Sequence, residues 1–107
     1  MRNVRVAGVQ MDPKILEKEK NLSKCLEFLE TAAKKSAEII VFPECALTGY
    51  CFSSLEESFS VAEPVFGPSS RAIAALCREL NVYTIIGLLE KDGEKYYNTV
   101  VLSALKG

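Results

Sequence analysis

Glu44 is the residue of this chain best placed to move a proton. It stands within Val41-Phe42-Pro43-Glu44-Cys45-Ala46-Leu47-Thr48-Gly49-Tyr50, one position past a proline that stops a β-branched run. In open α/β sheets ligands gather beyond the carboxyl ends of the strands. A carboxylate held there among apolar neighbours, with restricted hydration, suits a general base working near neutrality. An exposed loop glutamate accounts for the same spacing, and at a strand end that is the commoner arrangement. Histidine is absent, which excludes Ser-His and Cys-His nucleophile pairs, imidazole bases and His-ligated metal within this chain. Carboxylate, thiol, Lys and Tyr are left.

Cys25, Cys45, Cys51 and Cys77 contain no C-x-x-C pair and none of the clustering of a zinc site, so no metal is expected. Cys25 and Cys77 fall on apolar helix stripes and read as small buried hydrophobes. Cys45 and Cys51 flank the Glu44 loop, but a nearby carboxylate raises a thiol pKa, and activation would need proton abstraction and a cation as well. Asn98 is expected to satisfy backbone groups between strands, and Tyr96 and Tyr97 to pack in a hairpin. Asp92-Gly93 reads as a turn rather than a metal loop. No G-x-G-x-x-G or Walker pattern supports a nucleotide.

The elements that must position Glu44 follow from periodicity. Residues 3–9 are Val-rich and run into an Asp12-Pro13 turn, which predicts a first strand. From Lys18 to Ser36, Leu22, Cys25, Leu26, Leu29, Ala32 and Ala33 recur at helical spacing. Glu38 to Phe42 predicts a strand covered on both faces and ended by Pro43. Pro43 to Pro68 is a long loop, of the kind that often carries function, with a short helical turn around Leu55 to Phe59. Gly67-Pro68 opens a second helix whose stripe is Ile73, Leu76, Cys77 and Leu80, ended by Asn81. Val82 to Glu90 and Tyr96 to Leu105 predict strands joined by a hairpin at Asp92-Gly93. The order is β-α-β-loop-α-β-β.

Right-handed crossovers running in one direction place both helices on one sheet face. The strands offer apolar side chains to the other face too, so a second layer is expected there, from a longer polypeptide or another subunit. An end at Lys106-Gly107, straight after an apolar strand, fits a cut chain.

The chain has 107 residues, 13 basic and 14 acidic, for a net charge of −1, with 49% apolar and 25% charged residues. That is the composition of one folded domain or part of one. Near-neutral charge argues against a nucleic-acid partner. No apolar run approaches the roughly 18 residues of a spanning helix, so no membrane partner is expected. Met1 to Val6 runs straight into an alternating segment without an apolar signal region or small-residue cleavage site, so no leader is expected, and free thiols suit a reducing, cytoplasmic setting.

Taken together, Val6-Ala7-Gly8-Val9-Gln10-Met11, Ile39-Ile40-Val41-Phe42-Pro43-Glu44 and Leu47-Thr48-Gly49-Tyr50 resemble the nitrilase superfamily of carbon-nitrogen hydrolases. Gly87-Leu88 and Tyr97-Asn98-Thr99-Val100-Val101 are similar to that family's third and fourth strands. The resemblance spans nearly the whole chain. It implies an α/β fold, the N-terminal half of an αββα sandwich, with residues 1–107 as the N-terminal portion of a single domain. The downstream half would cover the bare sheet face.

The resemblance also implies a Glu-Lys-Cys catalytic set, with Glu44 as general base and Tyr50 lining the substrate pocket. The Lys and Cys would follow this segment: Lys106 stands too early, and none of the four Cys falls in the nucleophile motif. An amide or nitrile substrate, homo-oligomers built by helix packing, and no metal or organic cofactor are implied too. The chain alone is then expected to be inactive. A different class of reading is a non-enzymatic module that covers its sheet by self-association or with a partner.

Overall fold

The computed structural model describes residues 2–103. Strand β1 is Val6–Gly8, helix α1 Lys18–Lys34, β2 Ile39–Val41, α2 Leu55–Phe59, α3 Pro68–Leu80, β3 Tyr83–Asp92 and β4 Lys95–Ser103. One sheet holds them in the order β1-β2-β3-β4. The first three strands are parallel and β4 is antiparallel to β3. The α/β order read from the sequence is the order observed. The predicted last strand continues to Leu105, but residues 104–107, Lys106 included, lie outside the described residues.

Two parallel crossovers in the same direction bring α1 and α3 against each other on one face of the sheet. Cys25 and Leu29 of α1 and Ile73 and Cys77 of α3 bury against Ile40, Ile86 and Leu88. Both predicted helix thiols are therefore core residues. Burial pushes the Cys25 thiol up to about 12. Cys77 shares a 2.9 Å hydrogen bond with the hydroxyl of fully buried Thr84, which satisfies that buried polar side chain. Pro68 occupies the first turn of α3, and Asn81 ends the helix in a left-handed conformation with φ 62°.

The two ends of the chain's hairpin differ from expectation in a small way. Asp92 pairs with Lys95, so the connecting residues are Gly93 and Glu94 rather than Asp92 and Gly93. Gly93 has φ 62° and Glu94 does not share it. A positive φ at the first central position alone is the pattern of a type II′ turn, and it requires glycine there. Strand β1 is shorter than predicted, although Val9 still donates from its amide to the Val41 carbonyl.

By alternation, Val6, Ile39, Val41, Tyr83, Ile85, Val100 and Leu102 share the face away from α1 and α3. Val100 and Leu102 are 69% and 63% exposed. The bare apolar face expected from the sequence is present.

Glu63 fastens the long loop beneath the helices. Its backbone bonds to Leu89 and Lys91 of β3, extending the edge beyond β2. Its buried carboxylate accepts the Ser69 amide at 2.9 Å, the Ser69 hydroxyl at 2.6 Å and the Lys18 ammonium at 2.9 Å. Burial alone would push this carboxyl up; the Ser69 and Lys18 contacts outweigh it and hold the carboxyl below its ordinary value. A depressed carboxyl stabilises the fold above the unfolded-chain value, near pH 4, and that contribution is lost as pH falls through the lower folded value. Glu63→Gln is expected to cost about 3 kcal/mol at pH 7. Urea unfolding should show the gap to wild type narrowing below pH 4. An equal gap at pH 7 and pH 3 would contradict the role given to the charge.

Candidate active site

The edge of β3 serves as the rail on which the Glu44 loop is hung. Successive carbonyls of Ile85, Gly87 and Leu89 accept the amides of Phe42 at 2.8 Å, Ala46 at 3.3 Å and Glu63 at 3.1 Å. The first of these continues the β2 ladder, and the other two belong to loop residues. Between them Cys45 adopts φ 49°, unusual for a residue with a side chain, and its carbonyl accepts the amides of Thr48 and Gly49. From within the fold Asn21 of α1 donates to the carbonyls of Lys14 at 2.7 Å and Leu47 at 2.8 Å and accepts the Lys14 amide. Buried Asn21 thus ties the turn after Glu44 to the segment after β1.

Gly87 determines where Glu44 lies. A Cβ on Gly87 would sit 2.8 Å from the Glu44 Cα, 3.2 Å from the Cys45 nitrogen and 3.4 Å from the Pro43 oxygen. These are all backbone atoms, so only glycine allows the turn this close. The Gly87 Cβ direction is shared with Ile85 and Leu89, on the bare sheet face. Glu44 therefore stands on the uncovered side, at the carboxyl end of parallel strand β2.

Glu44 is exposed, which corrects the expectation that apolar neighbours within this chain limit its hydration. Those neighbours, Cys45, Ala46 and Leu47, are buried beneath it. The Asn98 side-chain amide donates to Glu44 Oε1. Asn98 was expected to serve backbone groups; instead it reaches from β4 to the carboxylate. It pairs with Leu89 and so shares the face on which Glu44 stands.

Tyr50, the other predicted site residue, lies in the same loop and is 67% exposed. Cys45 is buried; burial and the adjacent Glu44 carboxylate push its thiol up, against a hydrogen bond from Thr48. A thiol so placed is a poor nucleophile. Cys51 is exposed, and all four thiols are free. Tyr96 stacks on Phe59 of α2, with centroids 3.8 Å apart. Leu55, Phe59, Leu89, Tyr96 and Asn98 line a small open cavity of about 190 Å³ beside the Glu44 contact. Larger concavities are found along α1 and along α3, away from Glu44. Among the described residues no three His, Cys, Asp or Glu side chains gather to hold a metal ion. No helix among them is long and apolar enough to cross a membrane.

Comparison with known proteins adds to this geometry. The sequence model of a family described as carbon-nitrogen hydrolase matches residues 5–107. A nitrilase of Pyrococcus abyssi is 39% identical over 105 residues, spanning 97% of this chain and 40% of that protein. A crystal structure of an N-terminal amidase superposes with a TM-score of 0.82 at 28% identity, over 96% of this chain and 26% of that one. A CN-hydrolase superfamily protein of Xanthomonas campestris gives 0.85 at 19% identity, over 99% and 38%, a likeness of fold. The chain thus spans between about a quarter and two-fifths of the length of these proteins.

Proposed function

We propose, for a chain that belongs to the carbon-nitrogen hydrolase family, that its site hydrolyses a non-peptide carbon-nitrogen bond of a small amide or nitrile, with Glu44 as the general base. The observation that carries this reading is the Glu44 carboxylate fixed by Asn98 on a bare sheet face at the carboxyl end of β2. A carboxylate there is open to groups brought by whatever covers that face. In this reading residues 1–107 are the N-terminal portion of one domain, and the polypeptide beyond them supplies a second layer, a Lys and a nucleophilic Cys.

With an amide as substrate, Glu44 accepts the Cys proton, and the thiolate forms a bond to the carbonyl carbon. The downstream Lys stabilises the resulting oxyanion. Collapse breaks the carbon-nitrogen bond, and the leaving ammonia or amine takes the proton from Glu44. Water then attacks the thioester, losing one proton to Glu44; collapse breaks the carbon-sulfur bond, and the leaving thiolate takes that proton back from Glu44 as the carboxylic acid is released. Each step is a proton or acyl transfer, and none calls for a metal or an organic cofactor. Tyr50, exposed in the same loop, is available to line the substrate pocket. A homo-oligomer in the reducing cytoplasm is the setting proposed, consistent with four free thiols.

The exposed Val100 and Leu102 also fit a second reading, a module that covers its sheet by self-association or with a partner and catalyses nothing. An ammonia-release assay over a panel of primary amides and nitriles separates the two. Full-length protein is expected to turn over at least one compound, and the 107-residue chain none. A full-length protein inert on the whole panel would favour the module. Sustained turnover by the chain alone, lost in Glu44→Gln, would refute the division of the catalytic set.

A further inference from the structure

We infer that Asn98 is a positioning residue for the proposed base, holding one oxygen of Glu44 so that the other is presented to the proton it must accept. The inference rests on the reading of Glu44 given above. Asn98 donates to Oε1 of Glu44 across 54 residues of sequence. Glu44 enters no ion pair among the described residues. The carboxylate is therefore held by a neutral donor, which orients it without placing a cation against it.

The support behind Asn98 is rigid in a way that an exposed loop is not. Asn98 sits within a continuous antiparallel ladder from Thr84–Ser103 to Asp92–Lys95. The next residue, Thr99, donates from its hydroxyl to Glu90 on the facing strand at 2.7 Å. On the other side, Gly87 admits the Glu44 backbone and Asn21 holds the end of its turn. The backbone of Glu44 is thus fixed from β3 and α1, and its carboxylate from β4. Loss of a supporting hydrogen bond leaves the base free to rotate out of line, and a misplacement of about 1 Å costs on the order of 100-fold in rate.

The test compares full-length wild type, Asn98→Ala, Asn98→Asp and Glu44→Gln on the primary amide turned over fastest in the panel described above. Asn98→Asp keeps the side-chain shape while replacing the donor with a second carboxylate, so it carries the test even where Asn98→Ala folds poorly. Both Asn98 variants are expected to lose between about 10- and 100-fold in kcat, Asp at least as much as Ala, with KM within about 2-fold of wild type. A purely structural Asn98 would instead lower the melting temperature and leave kcat per folded molecule unchanged. Wild-type kcat in both Asn98 variants, beside an inactive Glu44→Gln, would overturn the assignment and leave the role of Glu44 standing. Activity retained by Glu44→Gln would remove the base itself, and the assignment with it.

Discussion

Glu44→Gln in the full-length protein is expected to lower kcat for amide hydrolysis by about 1,000-fold, within the range that a positioned general base contributes. Gln keeps the length and shape of the side chain, and its oxygen still accepts the Asn98 amide. Glu44 is exposed and enters no ion pair among the described residues, so the melting temperature should stay close to wild type. The loss is then one of chemistry rather than of folding. Steady-state kinetics with a thermal melt of the same preparation checks both parts. Turnover at the wild-type rate would refute Glu44 as the base.

The second large effect comes from a residue with no side chain. Gly87→Ala places a methyl group 2.8 Å from the Glu44 Cα and 3.2 Å from the Cys45 nitrogen. Backbone cannot swing aside as a flexible side chain can. The Glu44 turn must lift away from β3, straining the Ala46-to-Gly87 hydrogen bond that hangs it there. Overpacking of this kind costs about 2 kcal/mol. Because the displaced residue is the proposed base, kcat should fall by about 100-fold as well. The expected signature is a lower melting temperature together with a rate loss larger than the unfolded fraction explains. An Ala variant with wild-type kcat would contradict the account of how Glu44 is placed.

The sequence revealed the sheet and its helices because short-range periodicity carries them. Cys25 and Leu29 are four apart and both reach the core, as do Ile73 and Cys77. The doubly apolar character of β2 and β3 pointed to the bare face, and the directions of Val100 and Leu102 agree with it. The Phe-Pro-Glu segment located Glu44 because a proline after a β-branched run marks a strand end. What stayed hidden depends on register between distant segments. Asn98 reaches Glu44 only because β4 pairs with β3 so that Asn98 faces Leu89. Asn21 is a polar residue near a helix start, yet it is buried and joins the segment at Lys14 to the turn at Leu47, which lies 26 residues beyond Asn21 itself. Glu63 gave no local signal, since its partners Ser69 and Lys18 come from two different helices. Gly87 lies in a strand that reads as continuous, and nothing in its neighbours announces the backbone that passes over it.

In the mechanism proposed above, Glu44 activates a nucleophile supplied from outside residues 1–107. Mass spectrometry of full-length protein quenched during amide turnover tests it most directly. An acyl group carried as a thioester on a Cys beyond residue 107 is expected, with no such adduct in Glu44→Gln. Turnover with the acyl group on Cys45 or Cys51, or an undiminished adduct in Glu44→Gln, would contradict it.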